Sequence, residues 1–253
     1  VSGHSKWANI KHRKAKMDEK RGKLFTKLGR ELVIAVKQGG GDPEANPRLK
    51  VAIQKAREAN MPMENINRNI QKATGELGGV DFEETVYEGY GPGGVAVLLN
   101  ITTDNRNRTA GEIRYLFSRN GGNLGESGCV AWMFDPKGVI TLDTSSGQMD
   151  SEEVMLQAIE AGAEDVSVDD GVLEVITAPE DLERVKQGLS GAGLKFEQAE
   201  MTMVPKNTVT VEDEGQARQV LRLMELLEDH DDVQAVFANF DIPEEIMSKI
   251  ESV

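Results

Sequence analysis

The chain has 253 residues, 39% hydrophobic, 28% charged and 5% aromatic, with a formal net charge of -14. That length allows one large domain or two to three small ones, and the composition is that of a soluble globular protein with little spare apolar surface. The longest apolar runs, such as Val95–Leu99, are too short to span a bilayer. No apolar h-region follows the basic start, so no secretory signal is expected. The lone cysteine, Cys129, excludes an internal disulfide framework and fits a reducing compartment. A cytoplasmic protein is expected.

The net charge hides an asymmetry. Residues 1–76 hold 17 Lys and Arg against 8 Asp and Glu, a balance of +9. Residues 77–253 hold 12 against 35, a balance of -23. Such a split suggests a polyanion-binding head on an acidic body that repels nucleic acid and confines contact to one end.

In chain order, the opening run from Gly3 to Lys16 is GHSKWANIKHRKAK, in which seven of fourteen residues are Lys, Arg or His and none is acidic. From Lys11 to about Gln38 apolar residues recur at Met17, Leu24, Phe25, Leu28, Leu32 and Val36, a helical stripe. The run Gly39–Leu49 stops that helix, and Asn46-Pro47 reads as the N-cap and first position of a second. Ile66, Ile70 and Ala73 mark a third helix, closing a small bundle near Gly75.

The pattern then changes to strands at TVYEGYG and GVAVLLNIT, joined by Gly91–Gly94, with a helix from about Asn107 to Asn120. CVAWMF and GVITLD read as two further strands. Glu152–Ala161 is helical; EDVSVDD and VLEVIT flank a hairpin turn at Asp169-Asp170-Gly171; Glu180–Leu189 is helical and KFEQAEMTMVP is a strand. Residues 137–205 thus read β-α-β-β-α-β, the ferredoxin-like pattern. The helix Glu214–Leu227 and the strand Val233–Phe240 have no sheet of their own and are expected to return to the one begun at Thr85. The expected fold class is α+β in three domains: 1–78, a basic helical domain; 79–136 with 206–253, a discontinuous α+β domain; and 137–205, a ferredoxin-like domain inserted in it.

Within the first helix Arg13, Lys16, Lys20, Lys23, Lys27 and Arg30 follow one another at three- and four-residue steps, which places them on one face about 26 Å long. Like charges at these steps repel, so a partner that offsets the repulsion is expected, and phosphate is the obvious one. Gly22 is the weak point of the stripe. The arm before it adds Lys6, Trp7, Lys11 and His12, with Lys14 and Arg21 beside the stripe; an indole stacks on an unpaired base while the cations meet its phosphates. No recognition helix and no zinc-ligand spacing stand out.

Asp104–Thr109, DNRNRT, lies where a strand gives way to a helix, and Arg106 and Arg108 there form a candidate secondary anion site, against the plainer reading of a capped polar turn. GYGPGG lacks the Lys-Ser/Thr of a nucleotide-binding loop and reads as a hairpin. Cys129 reads as a buried structural thiol, and Glu228–Asp232, EDHDD, as a solvated helix end rather than a cation loop. No nucleophile–base–orienter set emerges, and neither a catalytic residue, a metal site nor a cofactor is expected.

HSKWANIKHRK, RGKLFTKL, GGGDPEANPRL, YEGYGPGG, TDNRNRT, GGNLGESG and AGAEDV, in this order, resemble the YebC/PmpR family, whose relatives include mitochondrial translational activators of cytochrome oxidase. The resemblance spans Gly3 to about Ile242 and implies three domains, one inserted in another. It also implies a cytoplasmic DNA-binding transcriptional regulator, or a factor acting on the ribosome at difficult proline-containing stretches. Cys129 stands where relatives often have Ser, which argues against a required thiol chemistry. The expected function is a non-enzymatic, nucleic-acid-binding regulator of gene expression, its target promoter DNA or ribosomal RNA, its acidic domains facing the ribosome or other proteins, with no membrane partner. The rivals are a metal-dependent hydrolase using Asp231 or Asp232 and a purely protein-binding adaptor.

Overall fold

The structure is a computed structural model that describes residues 18–75, 81–143, 151–169, 172–191, 194, 196 and 198–251; of residues 18–21, 143, 151, 169 and 251 it describes the backbone alone. The chain divides into two compact units, described separately here: one formed by Trp132–Thr208, the other by the residues up to Ala131 together with Val209–Val253.

The larger unit begins with three helices: α1 (Asp18–Gly39), α2 (Pro47–Glu58) and α3 (Met63–Ala73). Leu28, Leu32 and Val36 of the expected apolar stripe enter their core and Phe25 packs at its edge; Leu24 is exposed, and Met17 lies outside the described residues. Leu28, Leu32, Ala35 and Val36 of α1 pack with Leu49, Ala52 and Ala56 of α2, Met61 and Ile66. Gly22 does not break α1: the helix runs through it, and a Cβ there would meet nothing within 4 Å. Its propensity cost of about 1 kcal/mol is small beside the apolar burial that begins at Leu28.

Asn46 caps α2 as expected, its side-chain oxygen accepting from Leu49 N–H at 3.1 Å, with Pro47 opening the helix. Its amide also donates to the carbonyls of Ala35 and Gly40, both at 2.8 Å, so one buried side chain closes α1 and opens α2. Gly40 takes φ +85, the left-handed geometry that ends α1.

A four-stranded sheet follows, ordered β3-β1-β2-β9, from β1 (Glu83–Tyr90), β2 (Ala96–Thr103), β3 (Asn123–Leu124) and β9 (Val233–Ala238). The expected hairpin pairs Glu83 with Thr103 and Tyr90 with Ala96, and β9, from the end of the chain, pairs antiparallel with β2. The chain therefore does return to its first sheet. Ile113 and Phe117 of α4 (Arg106–Arg119) are fully buried, as are Val220, Leu223 and Leu227 of α7 (Glu214–Asp229). Gly89 and Gly122 let β1, β3 and α4 close tightly: a Cβ at Gly89 would lie 2.6 Å from Asn123 O, and one at Gly122 2.4 Å from Tyr90 O. A short parallel pair, β8 (Val209–Thr210) with β10 (Phe240–Asp241), and a last helix, α8 (Glu244–Glu251), complete the unit. Neither was anticipated. The expected strand through Phe240 is interrupted at Asn239, whose side chain accepts from Ala96 N–H at 2.7 Å.

The second unit is the expected β-α-β-β-α-β: β4 (Phe134–Asp143), α5 (Ser151–Ala161), β5 (Asp165–Asp169), β6 (Val172–Thr177), α6 (Leu182–Gly191) and β7 (Gln198–Pro205). Its sheet is antiparallel in the order β5-β6-β4-β7, the ferredoxin-like arrangement. Ile140, Leu142, Leu173 and Val175 face Val154, Ala158, Val185 and Leu189 of the helices. One local reading is corrected. CVAWMF is not a strand: Ala131–Met133 is a tight turn, and β4 starts at Phe134 and runs unbroken through GVITLD. The Val130 and Ala131 N–H groups are drawn to a carboxylate instead of a ladder. Of the expected hairpin turn, Asp170 and Gly171 lie outside the described residues.

Candidate nucleic-acid interface

Of the expected contact residues, Lys6, Trp7, Lys11, His12, Arg13, Lys14 and Lys16 lie outside the described residues. Lys20 and Arg21 are in the first turn of α1, with their side chains outside the description. The last three stripe members are described, and they do not face solvent freely. Lys23 Nζ lies 3.3 Å from Asp229 Oδ2. Lys27 Nζ donates to the Glu228 carbonyl. Both thus meet the C-terminal end of α7, where carbonyls and the helix dipole attract cations. Arg30 donates to Asp232, to Asp231 O at 2.9 Å and to Thr102 O at 3.0 Å. For these three the offsetting partner is the chain's own acidic edge.

Asp232 is the centre of that edge and is only 2% exposed. Besides Arg30, its carboxylate accepts from Arg108 Nη2 at 2.7 Å, Thr109 Oγ1 at 2.6 Å and Thr103 Oγ1 at 3.4 Å. Burial pushes its pKa up, but the hydrogen bonds from Thr109, Arg108 and Arg30 outweigh it and hold the group at about 2. Asp232 N–H donates to His230 Nδ1 at 3.1 Å, which leaves the imidazole proton on Nε2, 2.9 Å from Glu112 Oε2. The acidic run is therefore no solvated helix end at Asp232.

The ligand atoms of Glu112, His230 and Asp232 lie within 4.8 Å of one another, close enough to hold a metal ion. The chemistry already present fills that role. Two guanidiniums neutralise Asp232, and both ring nitrogens of His230 are engaged. A cation would have to displace Arg108.

DNRNRT resolves to the capped turn. The Asn105 side chain accepts from Arg108 N–H at 3.1 Å and starts α4. The Arg108 guanidinium sits among Asp104 at 2.9 Å, Asp232 at 2.7 Å and Glu112 at 3.9 Å, while Arg106 meets Thr85 at 3.0 Å and Glu83 at 3.5 Å. At the candidate secondary anion site both Arg106 and Arg108 meet carboxylates of the fold, which suits the plainer reading of a capped polar turn.

Two further contacts tie the helices to the sheet. Arg48 grips Glu84 with both terminal nitrogens, at 2.5 and 3.0 Å, and Lys37 bonds Asp81. Beside them a cleft of about 350 Å³ is bordered by Phe25, Arg30, Asn69, Lys72 and Phe82, with Arg30 5.1 Å above the Phe82 ring.

Sequence reasoning also missed an outward polar face on α3. Asn67 and Gln71 are exposed one turn apart, as are Arg68 and Lys72 beside them. Asn and Gln side chains are suited to bidentate pairing with adenine in a major groove. Missed too was Glu88, a buried carboxylate on β1 that accepts from Gly128 N–H at 2.6 Å, Ala131 at 2.7 Å and Val130 at 2.8 Å. Burial raises its pKa; the three backbone donors more than reverse that. Cys129, inside this loop, is half-buried rather than buried, and its thiol pKa is pushed up by desolvation and then by the Glu88 charge.

These features define a class: an α+β protein in which a basic three-helix module is locked onto an antiparallel sheet by a buried arginine–carboxylate centre. Two family models match the chain: the TACO1/YebC protein N-terminal domain over residues 5–76, and the TACO1/YebC second and third domain over 82–240. The chain belongs to the TACO1/YebC family. It is 66% identical over 252 residues to a probable transcriptional regulatory protein of Moorella thermoacetica, covering 99% of this chain and 100% of that one. A probable transcriptional regulatory protein of Halothermothrix orenii is 58% identical over 99% of both chains. Its fold is similar to the crystal structure of a conserved hypothetical protein from Aquifex aeolicus, with TM-score 0.82, 52% identity, and 95% of this chain and 98% of that one covered. Among the described residues no helix is long and apolar enough to cross a membrane.

Proposed function

We propose that this protein is a nucleic-acid-binding regulator of gene expression, in the transcriptional class its relatives' names carry, and that it grips phosphate through its N-terminal arm and the first turns of α1. The observation that carries the reading is the charge split, +9 over residues 1–76 against -23 beyond them. Because Lys23, Lys27 and Arg30 are turned to the acidic edge, the phosphate-facing set is Arg13, Lys14, Lys16, Lys20 and Arg21, with Lys6, Trp7, Lys11 and His12 of the arm. Base readout, which promoter DNA requires, falls to the outward face of α3 through Asn67 and Gln71. The buried centre at Asp232 orients the helical module; it performs no bond-making chemistry in this reading.

The test is promoter-fragment binding beside co-sedimentation with ribosomes, in one buffer across a salt series. Sequence-selective duplex binding that weakens with salt and loses selectivity in Asn67→Ala/Gln71→Ala supports the transcriptional reading. Ribosome association that persists at physiological salt, with only unselective DNA binding, would replace it with action on ribosomal RNA. Binding to neither would refute both.

A further inference from the structure

We propose that the outward face of α4 is a second seat for nucleic acid, one that holds an unpaired nucleotide with its base stacked on Tyr115 and its neighbouring phosphates met by Arg114 and Arg119. The proposal rests on the nucleic-acid reading above but uses a different element, in the acidic part of the chain.

The helix is fixed from below. Asn105 caps it, and Ile113 and Phe117 are buried beneath it. At about 100° per residue, Arg114, Asn107, Ser118, Gly111, Tyr115, Arg108 and Arg119 share one arc of about 140°, of which Arg108 is held by Asp104 and Asp232. That arc faces solvent, and Tyr115 is 62% exposed. An aromatic ring held this far into water forgoes burial, and a stacking partner recovers it.

The charges single the face out. Residues 77–253 carry 35 acids against 12 bases, so most cations there have a carboxylate to meet. Arg106, Arg108, Arg184 and Arg218 do. Among the described residues, Arg114 and Arg119 make no side-chain hydrogen bond or ion pair. A third exposed arginine in the same condition is Arg222 of α7. His230, which follows α7, meets Glu112 of α4, and Gln219 of α7 lies against Gly121, so the two helices run antiparallel and Arg222 is level with Arg119.

Gly111 adds to this. It sits inside α4, where glycine weakens a helix relative to alanine, yet a Cβ there would meet nothing within 4 Å. The fold does not need it, whereas a ligand lying close against the backbone does. Tyrosine and arginine also anchor protein interfaces. Here, however, the ring's neighbours one turn away are Gly111, Glu112, Ser118 and Arg119, with no second apolar anchor; Glu112 is taken up by His230 and Arg108, and the two cations flanking the ring match a stacked base and its phosphates.

The experiment compares full-length wild type with Tyr115→Leu, Tyr115→Phe, Arg114→Glu/Arg119→Glu, Gly111→Ala and, in the basic N-terminal stripe, Lys16→Glu/Lys20→Glu. The probes are a fluorescein-labelled oligouridine strand and a labelled DNA duplex, with thermal melts and sedimentation velocity on every variant. Tyr115→Leu and the arginine pair should each weaken strand binding roughly tenfold, with Tyr115→Phe close to wild type. The arginine pair should also flatten the slope of log K on log salt by about 1.4. Gly111→Ala should raise the melting temperature while weakening strand binding. Strand binding unchanged in the folded α4 variants, with Lys16→Glu/Lys20→Glu impaired, would overturn the proposal and leave the α1 reading standing. Wild type that binds neither probe would sink both. Loss of self-association in Tyr115→Leu with strand binding intact would overturn it in favour of an interface between copies.

Discussion

Arg30 and Asp232 are 202 residues apart in the chain and bonded side chain to side chain, at 15% and 2% exposure. The bond joins α1 to the turn before β9. It also turns the end of a basic stripe inward, which limits how much of that stripe can meet an external polyanion.

Removing the carboxylate leaves Arg30 buried against a neutral site. Breaking a buried pair on one side costs several kcal/mol, because the remaining charge loses its solvation and its partner. Asp232→Asn should therefore lower unfolding stability by about 3 kcal/mol. Asp231→Asn is the control: only its carbonyl is used by Arg30, its side chain is exposed, and it should change stability by less than about 0.5 kcal/mol. Urea titrations of the three proteins measure both.

The same centre sets an acid dependence. Asp232 has its pKa lowered from 3.8 to about 2, and that of Glu88 is lowered too. A carboxylate held down in the folded state stabilises above its unfolded pKa and loses that contribution as pH falls through the folded value. Stability should thus be flat above about pH 5 and fall by about 2 kcal/mol for Asp232 alone as pH approaches 2. Urea midpoints taken between those limits should slope less steeply in Asp232→Asn than in wild type.

How much of this was legible follows from how far apart the partners lie. Leu28, Leu32 and Val36 announce their helix because the period is local, and Asn46-Pro47 announces the next because a cap acts on residues beside it. The ferredoxin-like unit is legible for the same reason: each hairpin or crossover joins neighbouring segments. Glu88 and Asp232 give no such sign. Glu88 stands in a strand of ordinary polarity and Asp232 is one of four acids in EDHDD, and each becomes structural only when donors arrive from 40 to 43 residues away for Glu88 and 123 to 202 for Asp232. CVAWMF misled because its composition suits a strand, while Glu88 takes the amides a ladder would use. At Arg106 and Arg108 a helix start rich in arginine suits an anion equally well, until the carboxylates around it are known.

Glu88 holds its loop by charge. In Glu88→Gln one side-chain oxygen and an amide group replace two acceptor oxygens serving three backbone N–H groups, so at least one donor is stranded. The loss should be about 2 kcal/mol, with amide exchange at Gly128, Val130 and Ala131 about tenfold faster than in wild type. Cys129 supplies a second readout. Desolvation and the Glu88 charge both raise its thiol pKa, so the neutral variant should alkylate faster near neutral pH.

Asn46 is 3% exposed and uses both ends of its amide, accepting from Leu49 and donating to Ala35 and Gly40. Asn46→Ala loses the cap and strands two carbonyls, and should cost about 2 kcal/mol. Asn46→Asp keeps the acceptor but repels those carbonyls, and it should be destabilised as well. Asn46→Ser, which can still cap, should do better than alanine. Thermal melts of the three variants rank the contributions.

The basic stripe should split into two groups with opposite consequences. Lys27 meets the last turn of α7, where Glu228 O and the negative end of the helix dipole favour a cation, and Lys23 meets Asp229 in the same place. Lys27→Glu puts an anion there and should lower stability by about 1 kcal/mol, with its effect on nucleic-acid affinity secondary to that loss. Lys16→Glu/Lys20→Glu should leave the urea midpoint unchanged and weaken binding strongly. If Arg13, Lys16 and Lys20 are the stripe members that meet phosphates, log K against log salt on duplex DNA should slope about -3, where all six would give about -5. A slope near -5 would mean that Lys23, Lys27 and Arg30 leave the acidic edge when nucleic acid binds. Asp232→Asn would then bind more tightly than wild type, because the edge would no longer compete for Arg30.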